Sequence, residues 1–545
     1  MRRLIHLLMP CLGALLAACS TPSAEFSKAP SGWGAPEALV APSSFTGVHG
    51  LAVDLQGRLL AGSVVGNAIW QVDRNTGAAK VLIGGPEGQA DDIAIGPKGE
   101  MAWTNYLMGM VRVRDSDNAP MRVLAKDLPG LNSLDFDRRN GKLYATQVFL
   151  GDALWELDVA GVKPPRLIAK DLGGLNGFEV GPDGMIYGPL WFKNSVVKVD
   201  PANGAVTVIN KEFKTPAAAN LDGKGNLWVI DTFTGELSKV ELASGRKTVM
   251  KQLKTAIDNL AIAPDGTIYV SNMADNAIDA YDPATGSVRT LTSGKLAVPG
   301  GIKLSGGTLW VADLFAFRKV NVASGAVSDV MRMQASDMEY PFAVGLNERL
   351  ITLTSWFTGS VQVLDRATMK TLHMLHGWKA PYDTIPMADG SLLVAELATG
   401  SITQASGAAF ATRKVVASGI NGPVQMVLGR DGALYVTEAA GNLLRINLSD
   451  GSKTVVADQL ALPEGVAETP WGTFIVAETA AARLTEIDPR TRLRRTVADK
   501  LPIGLSAGPG MPAPYVPTGV DVAADGTVYF SADRNNAIYR VRPAR

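Results

Sequence analysis

The chain has 545 residues, of which 46% are hydrophobic, and its 52 Lys and Arg balance 52 Asp and Glu. That balance favours neither nucleic acid nor an anionic membrane surface, so neither is expected as a partner. A chain of this length buries a core large enough to hold without crosslinks.

Arg2 and Arg3 precede an apolar run from Leu4 to Leu16, broken by Pro10, so residues 1–18 read as a secretory signal. The run closes on Leu16-Ala17-Ala18-Cys19, which resembles the lipobox of bacterial lipoproteins. The resemblance implies cleavage before Cys19, lipidation of its thiol and, with Ser20 next, an outer-membrane lipoprotein facing the periplasm or the cell surface. An ordinary secretory signal with a chance cysteine is the other reading. On the lipoprotein reading Cys11 leaves with the signal, so the mature chain has no internal disulfide and no thiol nucleophile. No other stretch is long and apolar enough to span a bilayer, so the membrane is reached by the lipid anchor only. Residues 19–35, rich in Ser, Pro and Gly, read as the lipidated cysteine and a flexible tether.

One phrase then recurs twelve times: a short apolar strand, a glycine turn, and a second strand carrying an aromatic. Gly177-Phe178-Glu179-Val180-Gly181-Pro182-Asp183-Gly184-Met185-Ile186-Tyr187 and Asn259-Leu260-Ala261-Ile262-Ala263-Pro264-Asp265-Gly266-Thr267-Ile268-Tyr269 are clear copies. The turn glycine returns at Gly57, Gly99, Gly141, Gly184, Gly225, Gly266, Gly307, Gly390, Gly432, Gly472 and Gly526, with a weaker copy near Glu348. Intervals of about forty residues match a four-stranded propeller blade. Alternating apolar and β-branched residues predict strands throughout and no amphipathic helix after the signal.

The fold class is therefore all-β. Propellers hold about four to eight blades, so tandem β-propellers are expected, two six-bladed rings over 36–285 and 286–545. One twelve-bladed ring or a seven–five split are the alternatives. The chain opens on an outer strand at 36–41 and ends on a third strand at 537–541 that lacks an outer partner. The strand at 277–281 is likewise followed by one at 288–292. Each ring is expected to take its closing outer strand from its own N-terminal side, with the boundary at 283–286.

Propeller sites form where the loops entering the inner strands converge. Counting eight residues back from each turn glycine gives His49, Asp91, Asn132 (allowing one insertion), Asn176, Ala217 and Asp258 in the first ring. A looser register in the second gives Gly300, Phe342, Tyr382, Val424, Glu464 and Thr518. Five of the first six are polar, so the first ring is the chemical candidate. Two carboxylates and two amides suit Ca²⁺ or another hard divalent ion. The plainer alternative is a wet channel whose polar residues hold water. His49 reads as a general base, a metal ligand, or a structural histidine bridging two loops. His373 and His376, three apart near a strand end, read as surface residues. No Gly-x-Ser-x-Gly elbow is present.

The segment from Asn176 to Tyr187 resembles the Asn-Gly inner-strand motif of the regucalcin and gluconolactonase family, six-bladed propellers that hydrolyse sugar lactones around one divalent metal. The resemblance implies that Asn132 and Asn176, on consecutive blades, are metal ligands. It departs at Ala217 and His49, where the family has Asp and Glu, so Asp91 and Asp258 are expected to complete the set from other blades. Pro463-Glu464-Gly465 is similar to the family's Glu-Gly opening, with Asn421-Gly422 and Asp383 near neighbouring mouth positions, but Phe342 and Val424 dilute that ring. Asp431-Gly432-Ala433-Leu434-Tyr435-Val436-Thr437-Glu438 is similar to virginiamycin B lyase and NHL-type propellers, a similarity of fold rather than activity.

The first expected function is a metal-dependent hydrolase of a lactone or ester, working outside the cytoplasm. The metal, taken as Ca²⁺, polarises the carbonyl and activates a bound water. Asn132, Asn176, Asp91 and Asp258 hold it, and His49, Asp91 or Asp258 accepts the proton. The second is a non-catalytic scaffold or ligand-binding module at the outer membrane, with an envelope protein as partner. A lyase would need His49 against a bound macrocycle. The Pro/Gly-rich insertion at 501–517 is expected over the mouth of the second ring, as a lid, a partner-binding loop or a passive surface loop.

Overall fold

The computed structural model describes residues 29–544. The signal segment and Cys19 lie outside the described residues. Every strand belongs to one of twelve four-stranded antiparallel sheets. The helical pieces among the described residues are three single 3₁₀ turns, at Trp191–Lys193, Ala408–Phe410 and Thr479–Ala481. No helix among these residues is long and apolar enough to cross a membrane.

The repeated phrase is a self-contained turn. Gly184 and Gly266 sit at φ 82° and 88°, a conformation glycine adopts without a Cβ penalty. The aspartate before each glycine accepts the N–H two residues on, Asp183 from Met185 (3.1 Å) and Asp265 from Thr267 (3.0 Å). The aromatic that follows closes the unit: the Tyr187 hydroxyl donates to Asp183 at 2.8 Å, and Tyr435 to Asp431 at 3.1 Å. The chemistry that makes each hairpin is therefore local, which is why the repeat is visible in the sequence.

The sheets are blades one to twelve in chain order. Their inner strands touch in two closed circuits. The first runs through blades one to six, with Ile257–Ile262 of blade six against Val48–Val53 of blade one. The second runs through blades seven to twelve, with Val520–Val522 of blade twelve against Pro299–Ser305 of blade seven. Acids on the inner strands latch neighbours together. Asp92 accepts the Leu134 N–H (3.3 Å), Asp135 that of Val180 (2.8 Å), Glu179 that of Leu221 (2.7 Å) and Asp383 that of Met426 (2.8 Å). The Asp521 latch to Leu304 (2.6 Å) joins blade twelve to blade seven.

The outer strands depart from expectation. The opening strand Glu37–Val40 pairs with Ala537–Val541 of blade twelve, Ala38 opposite Tyr539. Ser287–Thr292 pairs with Ala277–Asp282 and completes blade six. The segment 283–286 is thus a hairpin turn inside one sheet, closed by the Gly286 N–H to the Asp282 carbonyl at 2.8 Å, and not a boundary between units. The expected spans 36–285 and 286–545 are corrected accordingly. The first circuit is continuous from 48 to 292, and the second is completed by the N-terminal strand. The reason is that an outer strand is held by backbone hydrogen bonds, which either candidate strand supplies equally well. Burial decides it: Val40 is 1% exposed, packed with Leu296, Ile302, Leu309, Tyr529 and Ile538.

The expected tether is also partly fixed. The Arg495 guanidinium donates to the Pro30 carbonyl (2.7 Å), the Trp33 indole N–H donates to Glu486 (3.1 Å) and Gly34 N–H donates to the Arg542 carbonyl (2.8 Å).

The two circuits share one apolar cluster. It joins Val65, Met273 and Ala274 of the first to Phe315, Met333, Phe342 and Tyr515 of the second. Beside it lies an ion network. Asp275 of blade six pairs with Arg332 of blade seven at 3.0 Å, and buried Arg318 reaches Asp313 (2.7 Å), Asp275 (3.3 Å) and Asp329. Burial works against the charge of Asp275, but the Arg332 hydrogen bond and the charges of Arg332, Arg318 and Lys254 outweigh it and hold its carboxyl down at about 2.

Candidate functional site

A bulge at the start of an inner strand sets four of the six mouth residues. Pairing shifts between Val48 and Leu51, Leu131 and Leu134, Pro216 and Ala218, and Ile257 and Leu260. His49, Asn132, Ala217 and Asp258 fall in those shifts, where an extra residue leaves the ladder and its side chain is re-aimed. Asp91 and Asn176 lie just before the strands of blades two and four.

His49, Asp91, Asn132, Asn176 and Asp258 all line one cavity of ≈ 100 Å³. Ala217 does not; it is 1% exposed in an apolar cluster with Trp191 and Trp228. The opposite wall comes from the second circuit and was not anticipated: Phe315, Tyr340, Phe342, Trp356, Phe357 and Tyr515. Tyr106, Phe149 and Trp191 of the first circuit add to it. The cavity is therefore a polar floor under an aromatic roof, and no Lys or Arg lines it.

The floor is partly wired. A carbonyl only accepts, so His49 donates its Nδ1 hydrogen to the Gly47 carbonyl at 2.9 Å, which leaves Nε2 as the reactive nitrogen. Its ring packs edge-on to Phe315, 5.2 Å between centroids. The Ser133 hydroxyl lies 2.9 Å from Asn132 Oδ1 and 3.1 Å from Asn176 Oδ1, and the Gly177 N–H donates to Asn176 Oδ1 at 2.9 Å. Both amide oxygens are thus engaged by the protein, while no protein acceptor among the described residues meets either Nδ2.

The carboxylates of Asp91 and Asp258 accept no hydrogen bond and form no ion pair among the described residues. Both carboxylates line the cavity. Burial pushes Asp91 well above the usual carboxylate range, and the charges of Asp258 and Asp92 add to it. Burial raises Asp258 as well, against the lowering influence of His49. One layer down, burial lifts Asp92 to about 7 although Ile93 N–H, Leu134 N–H and Asn259 Nδ2 all donate to it.

The second mouth is plugged. Trp356 packs on Phe342 (4.9 Å) and stacks on Tyr382 (6.4 Å), and its indole N–H donates to the Tyr515 carbonyl at 3.1 Å. The Tyr382 hydroxyl donates to the Pro514 carbonyl at 2.5 Å. The 501–517 insertion therefore does cover that mouth. It also reaches the first circuit, where Asn67 Nδ2 donates to the Ser506 carbonyl at 3.2 Å. Glu464 is consumed internally: it accepts from the Thr479 hydroxyl (2.8 Å) and the Thr518 N–H (2.6 Å), and burial raises it to about 8. His376 is exposed beside Glu339 at 3.0 Å, and half-buried His373 packs edge-on to Phe410.

In charge and donor type, Asp91 and Asp258 with the second lone pairs of Asn132 and Asn176 fit a divalent cation. No group of three or more His, Cys, Asp or Glu side chains is placed to hold a metal among the described residues, so such an ion would lean on the amides.

No protein-family model matches the chain, and no curated protein matches it. Among solved structures it is similar to the extracellular domain of a protein described as a hybrid two component system, BT4673, from B. thetaiotaomicron. That likeness has 11% identity and a TM-score of 0.34, covering 93% of this chain and 78% of that one. The corresponding domain of BT3049 from the same organism has 11% identity and a TM-score of 0.35, covering 91% and 81%. A streptogramin B lyase has 15% identity and a TM-score of 0.26, covering 60% of this chain and 93% of that one. With identities of 15% or less and TM-scores of 0.35 or less, these likenesses carry no conclusion about this chain.

Proposed function

We propose that this chain is an envelope protein, tethered through Cys19, whose cavity between the two blade circuits binds a small molecule. The observation that carries this reading is the meeting of five polar mouth residues with an aromatic wall from the other circuit around one cavity. A thermal-shift screen of lactones, esters, amines and divalent cations against the chain from Ser20 to Arg545 tests it. A ligand at a hundred times its Kd stabilises by about 2.7 kcal/mol. At least one class is expected to raise the unfolding midpoint of the wild type and not that of His49→Ala. No shift with any class refutes the reading.

A second reading, lactone or ester hydrolysis of the regucalcin and gluconolactonase kind, is favoured by His49, whose Nε2 is left as a proton acceptor beside Asp258. Asn132, Asn176, Asp91 and Asp258 would hold a divalent ion, probed as Ca²⁺, which polarises the substrate carbonyl when bound. His49, Asp91 or Asp258 would take the proton from the attacking water. Elemental analysis of the wild type and of the Asn132→Ala, Asn176→Ala double variant checks it, together with a lactone assay. Stoichiometric metal and turnover, both lost in the variant, support hydrolysis. Absence of both in the wild type leaves the non-catalytic binding module, with a small molecule or an envelope protein as partner.

A further inference from the structure

We infer that the cavity takes a ligand bearing an organic ammonium or amidinium group on a flat apolar body. This rests on reading the cavity as a binding site. Acids elsewhere on the inner strands are satisfied: Asp92, Asp135, Glu179, Asp383, Glu464 and Asp521 each accept at least one backbone N–H. Asp91 and Asp258 are the exception, two carboxylates that accept no hydrogen bond among the described residues and line a cavity that holds no Lys or Arg. An uncompensated desolvated pair is costly, and a cation entering the cavity relieves it.

The remaining lining selects the kind of cation. A hard divalent ion asks for six or more oxygens. Here the oxygens of Asn132 and Asn176, each 7% exposed, are already engaged by Ser133 and Gly177, while their N–H₂ groups meet no protein acceptor among the described residues. Those donors suit a carbonyl or hydroxyl on an organic ligand. The facing wall of Phe315, Tyr340, Trp356 and Phe357 supplies ring surface, which attracts ammonium and guanidinium-like groups through the ring quadrupole. Tyr340 lies near enough to feel both acids, whose charges add to burial in raising its hydroxyl.

The test titrates the chain from Ser20 to Arg545 with benzyltrimethylammonium, its neutral isostere neopentylbenzene, and CaCl₂, read by tryptophan fluorescence and calorimetry. Benzyltrimethylammonium is expected to bind about tenfold more tightly than the isostere. That preference is expected to vanish in the Asp91→Asn, Asp258→Asn double variant, which removes charge at constant shape. Trp356→Leu should weaken both organic probes. Equal binding of the two organic probes overturns the charge assignment but leaves the cavity as a binding site. Binding of Ca²⁺ alone overturns it in favour of a metal. Binding of none overturns both this inference and the cavity reading beneath it.

Discussion

Val40→Ala tests whether the N-terminal strand closes the second circuit. Val40 is 1% exposed and packs against Leu296, Ile302, Leu309, Tyr529 and Ile538, so two buried methyl groups are lost with little room for collapse. At about 0.8 kcal/mol for each, plus a cavity term, the cost is about 2 kcal/mol. That corresponds to about a 30-fold larger equilibrium constant for local opening. Global melting is a poor readout for a chain of this size, since its transition need not be two-state. Hydrogen exchange resolves the effect by segment. Amides of Ala537–Val541 and Val528–Ala532 should lose protection, because they form the sheet that the N-terminal strand completes. Ile268–Asn272 and Ala277–Asp282 of blade six should not change. Loss of protection in blade six with blade twelve unaffected would refute the pairing and restore the first strand to the first circuit.

Three further outcomes follow from the site and the interface. A carboxyl raised by folding stabilises the folded state at low pH and loses that contribution as pH rises through its folded value. With Asp91 raised and Asp92 raised to about 7, the ligand-free unfolding midpoint should fall as pH rises from about 4 through about 7, and fall less in Asp91→Asn. Asp275 has the opposite sign. Held at about 2, it stabilises above the ordinary carboxylate range and that contribution is lost as pH falls from about 4 through about 2. Asp275→Asn removes one of three carboxylates around Arg318 and one of two around Arg332 and should cost about 2 kcal/mol in urea unfolding at neutral pH, whereas an unchanged midpoint would remove the network from the list of forces joining the circuits. Gly50→Ala places a Cβ against the Asp91 carbonyl and Asp92 Cα; a loss of about 1–3 kcal/mol is expected, with weaker ligand binding as Asp91 shifts, and wild-type affinity in this variant would contradict the packing.

The number of blades and the five polar mouth residues were legible in the sequence because both are set locally. The Asp-Gly turn carries its own hydrogen bonds, as in Asp183 with Met185 and Tyr187, so every copy keeps the same spelling. The bulge that re-aims His49, Asn132 and Asp258 stands eight or nine residues before that turn, so counting back from the glycine, with one insertion for Asn132, finds them. Asp92 escaped that count, since it lies one layer below the mouth and its latch to Leu134 appears only once two blades are side by side.

What no local pattern encodes, tertiary structure decided. Glu37–Val40 and Ser287–Thr292 are equivalent as outer strands, and only the burial of Val40 against blades seven and twelve chooses between their pairings. The aromatic wall that meets Asp91 and Asp258 comes from residues more than fifty positions away in the other circuit, such as Tyr340 and Trp356. Their ordinary reading in sequence is core. They become a wall of the cavity because the two circuits pack on one apolar cluster, and that contact depends on the shape of both surfaces rather than on the spacing of either.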